Sequence, residues 1–343
     1  MRNVGINGFG RIGRMVLRAW VDYVYQCKVL RMEPKILIKA VNNPLKKGQT
    51  KEHFLHLLEY DSVHGKMNKE IEVTTKGFKI FGYEIAFFSE MDPSLINWSS
   101  ENIEVVVDST GIFKDKAGLG KHMRGTVKKV IMSAPGDGLD KTVVMGVNDH
   151  EYDSNIHHIL SNASCTTNCL APVAKIIDKA FGIEKGLVST CHAVTADQRL
   201  VDGEHEDMRR ARAAFASMIL TKTGAAKAVG EVLPHLNGKL DGMSIRVPTL
   251  DVSVIDANFV LKKTTTAEEV NQLFREASKG EYMGIVSVSD KELVSVDFTG
   301  NSNSAIVDSK YTKVMDGNLL KVMAWYDNEW GYSCRVLDLI KIL

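Results

Sequence analysis

Cysteine is scarce in this chain: five residues among 343, at positions 27, 165, 169, 191 and 334. An odd, scattered set of that size excludes a disulfide framework and points to a reducing compartment. Charge of one sign is also missing. Lys plus Arg total 43 against 42 Asp plus Glu, a net +1, which leaves no footprint for nucleic acid or an acidic membrane surface. No apolar run approaches the roughly 20 residues of a membrane span. Strand-like sequence from Asn3 onward leaves no room for a leader, so the expected location is cytoplasmic. Internal repeats and low-complexity segments are absent as well.

What is present is globular: 44% hydrophobic and 25% charged residues, in a length that suits two domains. The opening reads as a strand (Val4, Ile6), a glycine turn, a helix (Ile12, Met15, Val16, Ala19, Trp20, Tyr23) and a buried strand (Ile36, Leu37, Ile38, Ala40, Val41). That is a βαβ unit. Further short strands are expected at 105–107, 130–132 and 143–145, extending the same sheet. Beyond Cys165 the pattern turns to α+β, with long strands expected over 242–256 and 285–297 and a capped helix over 267–279. The predicted fold class is α/β: a Rossmann-type dinucleotide-binding domain (1–163), an α+β catalytic domain with a mixed or antiparallel sheet (164–327), and a C-terminal helix (328–343) returning to the first domain.

Between the first strand and helix lies Asn7-Gly8-Phe9-Gly10-Arg11-Ile12-Gly13. Here Gly8, Gly10 and Gly13 make a GxGxxG in the context the dinucleotide fingerprint requires, with the helix N-terminus facing a pyrophosphate. A merely tight βα turn is the plain alternative. The fingerprint also expects an acidic residue at the end of the second strand, and this strand ends Val41-Asn42-Asn43-Pro44. Asn43 cannot repel a 2′-phosphate, and Lys46 and Lys47 follow closely, so the choice between NAD and NADP is open.

The run Ser161-Asn162-Ala163-Ser164-Cys165-Thr166-Thr167-Asn168-Cys169 precedes a helical pattern of Leu170, Val173, Ile176, Ile177 and Ala180. Cys165 is therefore expected at a helix N-terminus, where unpaired N–H groups favour a thiolate near neutral pH. A base for it is sought among ten histidines; His192, ending a strand-like run, is the candidate, against the ordinary alternative of a satisfied core or surface histidine. No Cys or His cluster completes a metal site, and Cys169 reads as buried structure. Thr221-Lys222-Thr223-Gly224-Ala225 ahead of a helical run resembles a phosphate-cradling turn, and Arg246 could supply a bidentate cation. An ordinary helix cap and a surface Arg are the alternatives there. Arg209-Arg210-Ala211-Arg212, preceded by acids and without aromatics, reads as a salt-bridged loop.

Together with Ser109-Thr110-Gly111, Ser133-Ala134-Pro135, Asp197-Gln198-Arg199 and the stretch Trp325-Tyr326-Asp327-Asn328-Glu329-Trp330, these motifs resemble the phosphorylating glyceraldehyde-3-phosphate dehydrogenase family over essentially the whole chain. The resemblance implies Cys165 as nucleophile and His192 as base. It implies Arg11, Ile12, Asn43, Met91 through its main chain, Thr110, Ser133 and Asn328 around the dinucleotide. Ser164, Thr166, Arg210, Thr223 and Gly224 would line the inorganic-phosphate side, and Thr195 with Arg246 would hold the phosphate of glyceraldehyde 3-phosphate. The family is typically a homotetramer.

The chain departs from the family pattern at Asn43 (usually Asp), Gly203-Glu204 (commonly Leu-Pro), Val194, Ala196 and Lys222. Asn43 tolerates a 2′-phosphate, whereas Glu204 would repel one, so NAD is expected with NADP possible. Lys222, if aimed at the site, would strengthen anion binding. Erythrose-4-phosphate dehydrogenase is the near alternative; a thiol hydrolase or a non-catalytic binding protein would leave the glycine fingerprint or the thiol and phosphate motifs without purpose.

Overall fold

The structure is a computed structural model describing residues 1–343. Its chain forms two compact units, Met1–Val143 with Glu151–Ala163 and Ser333–Leu343, and Val144–His150 with Ser164–Tyr332. Two details differ from the boundaries read off the sequence. Val144–His150 joins the second unit, where Lys175 Nζ donates to the carbonyls of Gly146 and Val147 at 3.1 and 2.9 Å. The last helix, Trp330–Ile342, belongs to the first unit only from Ser333 onward.

The first unit is built on a nine-stranded sheet in the order Lys141–Thr142, Ile159–Ser161, Lys129–Met132, Val105–Asp108, Arg2–Asn7, Ile36–Asn42, Tyr83–Phe88, Gly77–Ile80, Glu72–Val73. Pairing is parallel up to Tyr83–Phe88 and antiparallel for the last two strands. Its central strands are apolar without alternation, and Val105–Asp108 is buried at every position. That is the signature of a sheet covered on both faces. Helix Arg11–Val29 buries Met15, Val16, Ala19, Trp20 and Val24, and the Trp20 indole N–H donates to the Ile36 carbonyl of the sheet at 2.9 Å.

From the central strand Arg2–Asn7 the chain pairs with Ile36–Asn42 on one side and later with Val105–Asp108 on the other. A topological switch point therefore lies at Asn7, where doubly wound folds bind ligands. The strand expected at 143–145 lies instead at Lys141–Thr142, and residues 145–148 form a turn.

The second unit carries an eight-stranded mixed sheet: Ile219–Lys222, Leu240–Arg246, Ile183–His192, Ser253–Leu261, Leu319–Tyr326, Ala305–Asp308 and Val286–Ser289 in order, with Lys313–Met315 also paired to Leu319–Tyr326. Helix Cys165–Phe181 lies between helices Ala225–Val232 and Ala267–Lys279 and packs on this sheet.

The single strand expected over 242–256 is two strands flanking Ile183–His192. Pro248 lacks an N–H for a ladder, and Val252 takes a φ of 63°, so the chain turns between them. Likewise 285–297 shortens to Val286–Ser289 followed by the 3₁₀ turn Ser295–Phe298, which Asp297 caps by accepting from the Val294 N–H at 2.8 Å. Helix Ala267–Lys279 begins with the expected capping box between Thr266 and Glu269.

Candidate active site

At the switch point of the first unit, backbone and side chains leave a cradle rather than a filled turn. Gly8 has φ 89°, and a Cβ there would lie 2.7 Å from the Thr110 nitrogen; a Cβ on Gly13 would lie 2.1 Å from the Gly8 carbonyl oxygen. Above Gly10 there is open space. Gly10 is the N-cap of helix Arg11–Val29, no side chain caps that end and no acid occupies its first turn. A helix N-terminus without a side-chain cap, with open space above Gly10, fits a pyrophosphate.

Below the cradle, Asn7 donates to Asp108 Oδ2 at 2.8 Å and Asn42 to Asn7 Oδ1 at 2.8 Å. Asp108 Oδ1 in turn accepts from the Thr110 hydroxyl at 2.7 Å and its N–H at 3.0 Å. The strand ends on both sides of the switch point are thereby tied together. Ser133 follows strand Lys129–Met132, its N–H on the Asp108 carbonyl at 2.9 Å. Met91 is exposed, and Arg11 pairs with Asp61 at 2.6 Å. Burial alone would raise the Asp61 pKa, but the N–H groups of His64 and Val63 and the Arg11 guanidinium bring it down to about 2.

Asn43 has a specific orientation. Its Oδ1 accepts from the Phe9 N–H at 2.9 Å, and its Nδ2 donates to the Pro44 carbonyl at 3.3 Å. With the oxygen taken by the glycine loop, the other face of the amide is a donor.

In the second unit, Ser164 caps helix Cys165–Phe181, its hydroxyl accepting from the Thr167 N–H at 3.0 Å. Cys165 is consequently the first helical residue, as expected from the apolar helical pattern that follows it. Its Sγ lies 3.4 Å from His192 Nε2, the last residue of strand Ile183–His192. The Ala193 carbonyl is 2.7 Å from Nδ1, which selects the tautomer carrying its proton on Nδ1 and leaves the Nε2 lone pair toward the thiol.

Behind the pair, the buried Tyr326 hydroxyl bridges Thr166 and Thr190 at 2.8 Å each. Tyr326 also sets its ring edge-on to His192 at 6.0 Å between centroids. In the sequence Tyr326 has only its place in the stretch Trp325–Trp330; the alternation of strand Leu319–Tyr326 turns it inward.

The expected low thiol pKa is not what this arrangement produces. Burial pushes Cys165 above the ordinary thiol value, and the Arg246 guanidinium and the Thr166 hydroxyl and N–H offset only part of that. His192 is depressed to about 3, first by burial and then by Arg246. Helix-end stabilisation is worth about 1 kcal/mol at most exposed sites, less than desolvation of a buried ion.

Arg246 is the last residue of strand Leu240–Arg246 and the register partner of His192 in the parallel pairing. Its Nη1 contacts His192 Nδ1 and donates to the Ala193 carbonyl at 3.3 Å. No carboxylate pairs with it, and its Nε is buried without a partner. Neighbouring segments hold two more buried polar atoms without partners, Gln198 Nε2 and Thr249 Oγ1. Thr195 donates its N–H to Gln198 Oε1 at 3.2 Å, and Val194 to the Thr249 carbonyl at 3.0 Å. An unpaired, partly buried cation beside unsatisfied polar atoms calls for an anion.

The other expected phosphate residues are more fully engaged. Arg210 binds Asp197 at 2.6 Å and the Thr221 hydroxyl at 3.0 Å, and Arg212 pairs with Asp202 at 2.9 Å, so this basic run is a salt-bridged loop. The Thr166 hydroxyl is turned to Tyr326. Thr223 accepts from the Ala225 N–H at 3.2 Å, and Gly224 caps helix Ala225–Val232 without a side-chain bond. Lys222 is exposed. Asn328 is buried, with its Oδ1 accepting from Ser253 at 2.7 Å.

The first unit is of the dinucleotide-binding class, and the second presents a paired thiol and imidazole beside a free cation. Residues 2–116 match the model of the glyceraldehyde 3-phosphate dehydrogenase NAD-binding domain, and residues 164–328 match that of the same enzyme's C-terminal domain. The chain is 48% identical over 339 residues to glyceraldehyde-3-phosphate dehydrogenase 1 of Bacillus cereus, covering 99% of this chain and 97% of the relative. It is 47% identical over 344 residues to glyceraldehyde-3-phosphate dehydrogenase 2 of Trichormus variabilis (100% and 98% covered). With glyceraldehyde-3-phosphate dehydrogenase of Geobacillus stearothermophilus it shares 48% identity over 336 residues (98% and 96%). The chain belongs to the glyceraldehyde 3-phosphate dehydrogenase family.

Proposed function

We propose that this protein catalyses the phosphorylating oxidation of glyceraldehyde 3-phosphate to 1,3-bisphosphoglycerate through a thioester on Cys165. The observation that carries the assignment of roles is Cys165 Sγ at 3.4 Å from an Nε2 lone pair whose imidazole is oriented from behind by Ala193. When bound, the nicotinamide dinucleotide accepts the hydride. NAD is the cofactor of the family's N-terminal domain; Gly8, Gly10 and Gly13 shape its pyrophosphate cradle, with Arg11, Ile12, Thr110, Ser133 and the Met91 main chain around it. Asn328, its oxygen held by Ser253, presents its NH₂ for the nicotinamide amide.

Cys165 sulfur attacks the aldehyde carbon while the thiol proton passes through His192 Nε2 to the former carbonyl oxygen. As the hydride leaves that carbon, His192 takes the hydroxyl proton back, and the C=O of the thioester forms. A phosphate oxygen then attacks the acyl carbon; the C–S bond breaks and the sulfur recovers its electron pair. Arg246 and Thr195 hold the substrate's phosphate, and Thr223, Gly224, Ser164, Thr166 and Arg210 stand on the side of the attacking phosphate, where positioning favours phosphate over water.

Erythrose 4-phosphate oxidation would use the same groups. Rates of NADH formation on both aldehydes, with and without phosphate, separate the two: the present reading requires the higher kcat/KM on glyceraldehyde 3-phosphate, dependence on phosphate, and loss of turnover in Cys165→Ser. We further propose a homotetramer, supported by the exposed apolar side chains Leu220, Met243 and Leu187 on three successive strands of the second sheet, with Met218 just ahead of the first. A cytoplasmic setting is supported by five free thiols. No helix is long and apolar enough to cross a membrane.

A further inference from the structure

We propose that Ser253 is a positioning residue that fixes the base His192 and the nicotinamide holder Asn328 through one hydroxyl. This rests on the reading of those two residues as base and cofactor ligand, and goes beyond it by giving their geometry a common anchor.

Strand order sets the placement. Strand Ser253–Leu261 lies between Ile183–His192 and Leu319–Tyr326 in the second sheet and runs antiparallel to both. Its first residue therefore meets the last residues of its neighbours: Cys191 pairs with Val254, and Tyr326 with Ser253. Ala193 follows the end of one flanking strand, and Asn328 lies two residues past the end of the other. Ser253 is buried between them.

A hydroxyl has one proton to give and two lone pairs to offer. Ser253 Oγ accepts from the Ala193 N–H at 3.0 Å and donates to Asn328 Oδ1 at 2.7 Å. The second length is that of an O–H···O bond rather than an N–H···O bond, so the amide oxygen faces Ser253 and Nδ2 is left to donate to a ligand. Asp327 already pins the chain on both sides of Asn328, accepting from the N–H groups of Gly300, Glu329 and Trp330 at 2.7, 2.9 and 2.6 Å. What Ser253 adds is the rotation of the amide.

On the other side, the same hydroxyl holds Ala193 at its N–H while the Ala193 carbonyl lies 2.7 Å from His192 Nδ1. That carbonyl orients the imidazole toward the thiol. Hydride departure and proton transfer to His192 occur at one substrate carbon and its oxygen, so the nicotinamide holder and the base must be in place together. Without the hydroxyl, the Asn328 amide can turn its oxygen toward the nicotinamide amide oxygen, and the carbonyl behind His192 loses part of its support.

Two measurements on the full-length enzyme test this. The first is calorimetric titration, without aldehyde, with NAD and with ADP-ribose, which lacks the nicotinamide. Ser253→Ala should weaken NAD by about 5–20-fold and leave ADP-ribose within about twofold of the parent. Asn328→Ala should weaken NAD at least as much. Adding Ser253→Ala to it should cost nothing more, because the hydroxyl acts on the cofactor through that amide.

The second is the pH profile of Cys165 alkylation by iodoacetamide without cofactor, located by the mass of the peptide that carries Cys165. Ser253→Ala should slow alkylation at pH 7 by about threefold or more, because the imidazole beside the sulfur is less well held. Asn328→Ala should leave the profile unchanged. Ser253→Thr, which keeps the hydroxyl, should preserve both NAD affinity and the profile. If the alanine variant does not fold, Ser253→Cys keeps the shape with weaker hydrogen bonds and should show both losses in reduced form.

Unchanged alkylation in Ser253→Ala overturns the shared anchor and leaves Ser253 a cofactor-side residue. Equal losses for NAD and ADP-ribose, or loss of either property in Ser253→Thr, overturn it in favour of simple packing. Undiminished NAD affinity in Asn328→Ala, or parental alkylation in His192→Asn, overturns the underlying reading instead.

Discussion

Asn43 turns its side-chain oxygen back onto the Phe9 N–H, 2.9 Å away, so the end of the second strand offers a hydrogen-bond donor to a ligand in the glycine cradle. An Asp at this position would offer a second carboxylate oxygen, which accepts from a ribose hydroxyl and repels a 2′-phosphate. Asn43→Asp should therefore weaken binding of NADP on the order of 10–100-fold, with little loss for NAD. Titrating the free enzyme with both dinucleotides by calorimetry or protein fluorescence checks this. Equal losses for the two would show that Asn43 does not discriminate between them.

His192 stands apart from a merely buried histidine through its contact with Cys165. His192→Asn removes the proton acceptor and should lower kcat by about 10²–10⁴, while thiol titration shows Cys165 still present and unmodified. Circular dichroism of the variant should match the parent. A loss of fold, or a kcat within a factor of a few of the parent, would argue against a role as base.

The same histidine has a signature in stability. Its pKa falls from an ordinary value near 6.5 to about 3 on folding, so the unfolded chain binds the proton that the folded chain refuses. Stability contributed by neutral His192 is fully present above about pH 6.5 and is lost as pH falls toward 3. The midpoint of urea unfolding should decline between pH 6.5 and 4.5 with a smaller slope in His192→Asn. Identical slopes would contradict the burial of an uncharged imidazole.

Asp251 behaves in the opposite sense. Burial, then the carboxylates of Asp327 and Glu329, raise it to about 9, so it is a neutral acid at pH 7 and folding binds a proton. Its contribution is present at low pH and is lost as pH climbs from about 4 through 9. Asp251→Asn keeps the shape without the titration and should raise Tm at pH 9 by about 2–4 °C relative to the parent, with a smaller difference at pH 5. Scanning calorimetry at the two pH values decides between this and a uniform effect.

Much of the site was legible because its signals are local. The apolar helical stripe after Cys165 placed the thiol at a helix start, and glycines between a strand and a helix marked the cradle. The salt-bridged character of Arg210 and Arg212 followed from acids nearby in the chain. What escaped was set by strand pairing across long sequence separations. Arg246 meets His192 only through parallel register, and Tyr326 reaches Thr166 and Thr190 only across the second sheet.

The opposing pull of burial on the Cys165 thiol also escaped. Helix position argues for a thiolate, and the burial that opposes it is a property of the folded unit. The long strands expected over 242–256 and 285–297 failed for a simpler reason. Alternating apolar residues continue through both turns, and at the first the break is made by Pro248 and by the positive φ of Val252.

The central claim is a thioester on Cys165, and it is tested most directly by mixing enzyme and NAD with glyceraldehyde 3-phosphate in the absence of inorganic phosphate, quenching in acid, and determining the mass of the peptide that carries Cys165. The expected result is a burst of NADH stoichiometric with enzyme and a phosphoglyceryl group on that cysteine, discharged when phosphate is added. A burst without modification of Cys165, or an acyl group on another residue, would contradict it.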